Sequence, residues 1–492
     1  MVRSSHLLRY LLGAAAIAGV ISACATNPVT GGKELVLMSE EQEIALGRET
    51  DPQIRRQYGV HDDPALQAYV QRVGERLAVH SHRPGLVYRF TVLDSPDVNA
   101  FALPGGYVYI TRGIMAYINS EAELAAVLGH EIGHVTARHS VRQYTAATAA
   151  GIGASILSVF VPELGGQLGQ ELLNVIGNAL LSGYGREHEL ESDRLGAEYL
   201  ARGGYDSGAM IGVIGILKNQ EEFEKNRALA EGRKPRIYHG VFATHPSNDR
   251  RLQEVVGEAR KIKTLAAPRL GREEYLQQLN GIVFGDSVRE GVRHGADFYH
   301  RDLDFAVGFP RGWRLENSPE AVTAASRDGD AIMQLRLEDL NQRLTPRTYM
   351  QERLKLGALK REGPLEGTSL PAHTAVSFIT TPFGKRDARV TVLYYNNKAF
   401  AFFGAARDPA AFDKTDPLFL TTARSLRPLA ARERRLAEGL RLRIRGAAAG
   451  DSFAELAKKS PLNQHAEPIL RLLNDKFPRG EPRAGEKIKI VE

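Results

Sequence analysis

The chain has 492 residues, 43% of them hydrophobic and 25% charged, which is the make-up of a globular protein and excludes a disordered or fibrous one. At roughly 150 residues per domain, this length holds about three domains, each able to bury a core. The formal charge of +6 is spread along the sequence rather than gathered into a stripe, so nucleic acid is not an expected partner.

Residues 1–23 carry a basic start, an apolar run from Leu11 to Ile21 and then small residues before Cys24. This is the pattern of a secretory signal peptide, too short to span a bilayer comfortably. The ending "ISAC" resembles the bacterial lipobox, which implies that Cys24 is lipidated and anchors a periplasmic protein to a membrane. Ala25 in place of Asp implies, by the same resemblance, the outer membrane. Cys24 is the single cysteine, so the fold relies on packing without an internal disulfide.

"TNPVTGG" reads as a turn-rich tether, and Ser39 with Gln42 predicts a capping box opening a helix. "PALQAYVQRVGERLAV" has helical apolar spacing. "YRFTVL" and "YVYITR" alternate like strands of a small sheet and are split by Pro104-Gly105-Gly106. Residues 120–145 read as one helix. Residues 145–182 are apolar but broken by Pro162, Glu163 and several glycines, which favours a core helix pair or a flap over a transmembrane hairpin. "REHELESDRLGAEYLARGGY" is a second helix ending at Gly203-Gly204.

A first domain is expected over 24–262, and 263–300 reads as a linker. "LDFAVGFPRGWRL" and "RVTVLYYNNKAFAFFGAA", with an Asn396-Asn397 hairpin turn and a helical stretch near 347–360, predict an α/β accessory domain over 301–430. The two ends of 440–492, "AGDSFAELAKKS" and "RAGEKIKIVE", resemble those of a LysM module, a small βααβ fold that binds glycan chains. The expected class is therefore α+β: a mainly helical domain with a small sheet, whose type is set by the motif taken next, then an α/β domain and a LysM-like unit.

The chemistry lies in "LGHEIGHVTARH". His130 and His134, four apart on a helix, stand about 40° apart with Cβ atoms about 6 Å from each other, so both can reach one Zn²⁺. Glu131, one step round, is placed to act as general base on a water. Gly133 inside the helix suggests close packing there. On a continuous helix His139 lies about 140° from His134, which reads as a structural or surface histidine and not a ligand. Ala137 and Ser140 exclude the metzincin continuation. A third ligand must then come from elsewhere, and "REHELESD" offers Glu187, Glu189 and Glu191. Glu189 stands four before Asp193, which puts these two carboxylates on one helical face; one of them could bind zinc while the other holds a ligand's free ring nitrogen.

HEIGH, Glu189-x-x-x-Asp193 followed by Arg194-Leu195-Gly196, "NPVTG" and "NAFALPGG" together resemble the HtpX and CAAX prenyl protease family of zinc metallopeptidases (peptidase family M48), and in particular its secreted bacterial branch, over roughly residues 27 to 260. The resemblance implies one Zn²⁺ held by His130, His134 and Glu189, with Glu131 as base and Asp193 behind the ligands. "NAFALPGGYVYIT" matches the strand that pairs with an extended substrate. "THPSNDRRL" matches too. It implies that His245 is a reversible fourth ligand or steadies the oxyanion, with Arg251 supporting the site. The implied function is zinc-dependent hydrolysis of unfolded or misassembled envelope proteins. The alternatives are a chaperone or assembly factor for outer-membrane proteins, or a peptidoglycan-tethered scaffold, with little proteolysis. Relatives of this branch often carry tetratricopeptide repeats after the peptidase domain, and this chain has no 34-residue period.

Overall fold

A computed structural model describes residues 24–149, 185–231 and 267–492 (Asn463 apart), with isolated residues between 232 and 266. Most of the apolar 145–182 segment lies outside the described residues, as do His245 and Arg251. The chain divides into two compact units, one of residues 1–282 with 442–492 and one of residues 283–441.

In the first unit, β1 (Cys24–Thr26) pairs with β2 (Lys33–Leu35) across the "NPVTGG" turn, where Asn27 Oδ1 accepts from Val29 and Thr30. Helix α1 (Glu40–Tyr58) opens on the expected capping box, Gln42 N donating to Ser39 Oγ and Ser39 N to Gln42 Oε1. Helix α2 (Pro64–Ala78) has Asp63 as N-cap and proline in its first turn, where no N–H is lost. Strands β3 (Arg89–Leu93), β4 (Ala100–Leu103) and β5 (Tyr107–Thr111) form a sheet of order β3-β5-β4, with β4 on its edge. The β4–β5 turn sits tightly on α1, since a Cβ on Gly47 would lie 2.0 Å from Pro104 O.

Helix α3 (Arg112–Tyr117) leads into α4 (Glu121–Thr136), capped by Ser120 and buried at nearly every position. The single helix expected over 120–145 is broken. Ala137 closes α4, Arg138 adopts φ 55°, and α5 (His139–Ala149) starts in a new direction. This left-handed arginine is held by Glu43 Oε2 and Met38 O, each at 2.9 Å. Such over-determination is what keeps a non-glycine residue there. Helix α6 (Arg186–Arg202) lies along α4 and is followed by α7 (Ala209–Ala230). Glycines let α4 and α6 approach: a Cβ on Gly133 would stand 3.0 Å from Ser192 Cα, and one on Gly196 2.9 Å from His130 N. Within the stretch expected as a linker, α8 (Arg272–Leu279) is an ordered helix whose Tyr275 hydroxyl donates to Met115 O.

The second unit begins with β6 (Val283–Phe284), β7 (Val292–His294), β8 (Asp297–His300) and β9 (Phe305–Gly308). Next come β10 (Arg314–Ser318), β11 (Ala321–Ala325), β12 (Ala331–Asp339), α9 (Pro346–Glu352), β13 (Lys360–Pro364), β14 (Ala372–Thr381), β15 (Gly384–Tyr395) and β16 (Lys398–Ala406). It closes with α10 (Phe412–Arg424), β17 (Arg427–Pro428) and α11 (Ala431–Leu436). Seven strands make a sheet of order β10-β11-β12-β16-β15-β14-β13, antiparallel throughout. The α/β expectation thus gives way to an antiparallel sheet with helices. Short connections join its neighbours except β12 and β16, which are brought together from distant parts of the unit; among the turns is Asn396-Asn397, both at positive φ as a two-residue turn requires. Phe400 and Phe402 of β16 share a core with Phe305 and with Phe419 of α10.

The chain then returns through β18 (Leu440–Gly446), α12 (Phe453–Lys459), α13 (Ala466–Leu473) and β19 (Lys487–Val491). β18 and β19 pair antiparallel, Leu442 opposite Val491, and residues 442–492 belong to the first unit.

Candidate metal centre

Helix α4 presents His130 and His134 one turn apart, and α6 brings Glu189 to them. His130 Nε2 and His134 Nε2 are 2.9 Å apart, with Glu189 Oε2 3.4 Å from the first and Oε1 3.8 Å from the second. All three side chains are buried, and among the described residues they form a cluster whose ligand atoms converge on one point. The donor set fits a borderline divalent cation such as zinc. Tetrahedral bonds of about 2.0–2.1 Å put neighbouring ligand atoms roughly 3.3 Å apart, within the spread observed here.

Asp193, one turn beyond Glu189, places Oδ1 2.9 Å from His130 Nδ1. Burial alone would lower the His130 imidazolium. Hydrogen bonds and charge from Asp193 and Glu189 outweigh it and raise the group to about 10 in the metal-free protein. Glu131 is 2% exposed, and its burial, against the attraction of His130, pushes the carboxyl up to about 8. Burial also holds His134 well below the ordinary imidazole value. Glu187, the remaining candidate, is exposed at the start of α6.

His139 is not a ligand, but neither is it on the surface. Fully buried, it places Nδ1 2.8 Å from His134 Nδ1 and Nε2 3.0 Å from Glu191 Oε2. Wheel geometry missed this because it assumed a continuous helix, and no glycine or proline marks the break at Arg138. Beside His134, a small concavity is lined by Ala102, Leu103 and Pro104 of the β4–β5 hairpin and by Val141.

Two imidazoles and a carboxylate converging between packed helices, with a buried glutamate next to the first imidazole, define a metallopeptidase domain of the HExxH-plus-glutamate type. Residues 64–259, which contain the whole cluster, match the model of peptidase family M48, and this segment is a domain of that family. The chain is 28% identical over 264 residues to the beta-barrel assembly-enhancing protease of Yersinia pestis, covering 52% of each chain. It is 33% identical over 241 residues to a putative beta-barrel assembly-enhancing protease of Vibrio cholerae, covering 47% of each. It is also 32% identical over 247 residues to the mitochondrial metalloendopeptidase OMA1 of Arabidopsis thaliana, covering 48% of this chain and 47% of that one. The chain thus spans about half the length of these relatives.

Proposed function

We propose that the chain is a zinc-dependent endopeptidase of the bacterial periplasm, lipid-anchored at Cys24 to the outer membrane, that cleaves unfolded or misassembled envelope proteins. The observation that carries the reading is the buried triangle of His130, His134 and Glu189 with Glu131 beside it. The likeness to a beta-barrel assembly-enhancing protease supports envelope quality control as the setting. When bound, zinc supplies Lewis acidity, acidifying water and polarising a carbonyl. The protein's own residues do the rest. Glu131 takes a proton from the attacking water and returns it to the leaving amine. A site that holds this carboxyl high when no metal is bound is also one in which it can carry a proton between those two steps. Among the described residues β4 pairs on one side only, so its other edge could take an extended peptide, read by main chain more than side chains and so with broad sequence tolerance.

The test compares the native protein with Glu131→Gln, measuring zinc by mass spectrometry and digestion of an unfolded substrate with and without a chelator. Zinc in both proteins and cleavage in the native one alone is the expected result. A native protein without zinc, or an active Glu131→Gln, sinks the reading. His245 would serve as a reversible fourth ligand or oxyanion donor, so His245→Ala should change basal proteolysis in one direction or the other.

The β-α-α-β order of 440–491 supports the LysM resemblance, and with it peptidoglycan as a second ligand. Pelleting of the native protein with purified sacculi tests this, and no pelleting would sink it.

A further inference from the structure

The metal-centre reading, on which this inference rests, gives the two histidine ligands different neighbours at Nδ1. Asp193 stands at Nδ1 of His130. At the equivalent nitrogen of His134 stands another imidazole, His139, with Nδ1 2.8 Å away. His139 Nε2 in turn lies 3.0 Å from Glu191 Oε2, to which Arg142 Nη1 donates at 2.9 Å. The His188 ring stacks on His139 at 4.3 Å and 18°, and Ser192 Oγ is 3.3 Å from its Nδ1.

The proton positions follow from the ligand role of His134 Nε2. With His134 Nε2 turned to the ligand cluster, its hydrogen sits on Nδ1 and is donated to His139 Nδ1. His139 must then carry its own hydrogen on Nε2, where the Glu191 carboxylate accepts it. The line runs from His134 through His139 to Glu191, to which Arg142 also donates.

We propose that His139 and Glu191 form a carboxylate–imidazole relay that orients His134 and strengthens it as a metal ligand. They are positioning residues, doing for His134 through two steps what Asp193 does for His130 in one. The "REHELESD" run thereby divides into three tasks: Glu189 for the metal, Asp193 for His130 and Glu191 for His139. It also gives the break at Arg138 a purpose, because only after that turn does the His139 ring meet the ring of His134.

Loss of such an outer partner typically weakens metal binding about 10- to 100-fold. The experiment measures zinc affinity of the full chain by competition with a chromophoric chelator, with the absorption of the cobalt-loaded protein and circular dichroism alongside. Folded His139→Ala should bind zinc about 10- to 100-fold more weakly and shift the cobalt bands. His139→Asn should recover part of the loss, since its amide oxygen can stand near the Nδ1 position and accept from His134. Glu191→Gln should move both readouts in the same direction by less. Native affinity and bands in folded His139→Ala and Glu191→Gln would overturn the relay, as would an asparagine variant no better than alanine. Should His139→Ala fail to fold, Glu191→Gln decides, its side chain being 19% exposed and tolerant of change. A native protein that binds no zinc would overturn the metal reading and the relay together, which separates that failure from failure of the relay alone.

Discussion

The Nζ of Lys489 donates to the backbone oxygens of Ala116 at 2.6 Å and Ile118 at 2.9 Å, at the end of α3 and just before the cap of the metal-bearing helix. Carbonyls at a helix C-terminus lack partners and carry the negative end of its dipole, so a buried lysine there satisfies both needs. Arg272 adds bonds to Asn119 O and Lys487 O. β19 is thus a clamp on the entry to α4. Lys489→Met keeps the apolar stem but leaves two buried carbonyls without this donor, which should cost about 1–3 kcal/mol. Thermal denaturation should show a lower midpoint, and an unchanged one would refute the clamp. Deleting 447–492 should destabilise the peptidase unit itself, so surface point variants, not truncation, are the clean way to map any glycan site.

Gly196→Ala reverses the usual sign of a helical glycine substitution. Helix propensity alone predicts a gain of up to about 1 kcal/mol. Here the new Cβ would meet His130 N at 2.9 Å and Gly129 C at 3.1 Å, both backbone, so α4 and α6 must part. Overpacking of this kind typically costs about 1–3 kcal/mol, and it displaces a ligand from its carboxylate partners. Lower thermal stability together with weaker zinc retention is expected; a more stable variant would show that the helices yield freely.

Much of this site was legible because helical spacing is rigid. Two histidines four apart, and Glu189 four before Asp193, could only face one way on a helix. The capping box at Ser39 and the Asn396-Asn397 turn were legible for a similar reason, since each is local chemistry. The turn after α4 was not, because Arg138 is held at positive φ by Glu43, distant in sequence, and nothing nearby announces it. That one residue decided the fate of His139. Nor did the sequence reveal that 442–492 joins the peptidase unit, since strand alternation says nothing about which core a strand completes.

Metal uptake should release protons. In the metal-free site His130 holds one up to about pH 10, because Asp193 and Glu189 together outweigh its burial. A cation must displace that proton, so apparent affinity falls as pH falls, that proton alone accounting for up to about tenfold per pH unit below that value. Calorimetry in buffers of different ionisation enthalpy should report between one and two protons released near pH 7, one from His130 and the rest from Glu131, whose carboxyl is held up to about 8 before the cation arrives. Affinity that is flat between pH 6 and 8 would contradict it.

His300 makes the second unit sensitive to acid. It is 9% exposed, its ring stacks on Phe305 at 5.4 Å, and Leu303 N donates to its Nδ1 at 3.3 Å. Burial, with Lys398 and Arg301 adding and Asp302 opposing, pushes the imidazole down to about 4. An unfolded chain takes up this proton near pH 6.5, well before the folded one does. The contribution to stability is therefore fully present above about pH 6.5 and is lost as pH falls towards about 4. After discounting for partial solvent contact, it is on the order of 1–3 kcal/mol. His300→Gln cannot titrate, so its urea midpoint should fall less than the native protein's between pH 7 and 4.5. Carboxylates that titrate in both proteins cancel in that comparison, and parallel curves would show that His300 takes up its proton without cost to the fold.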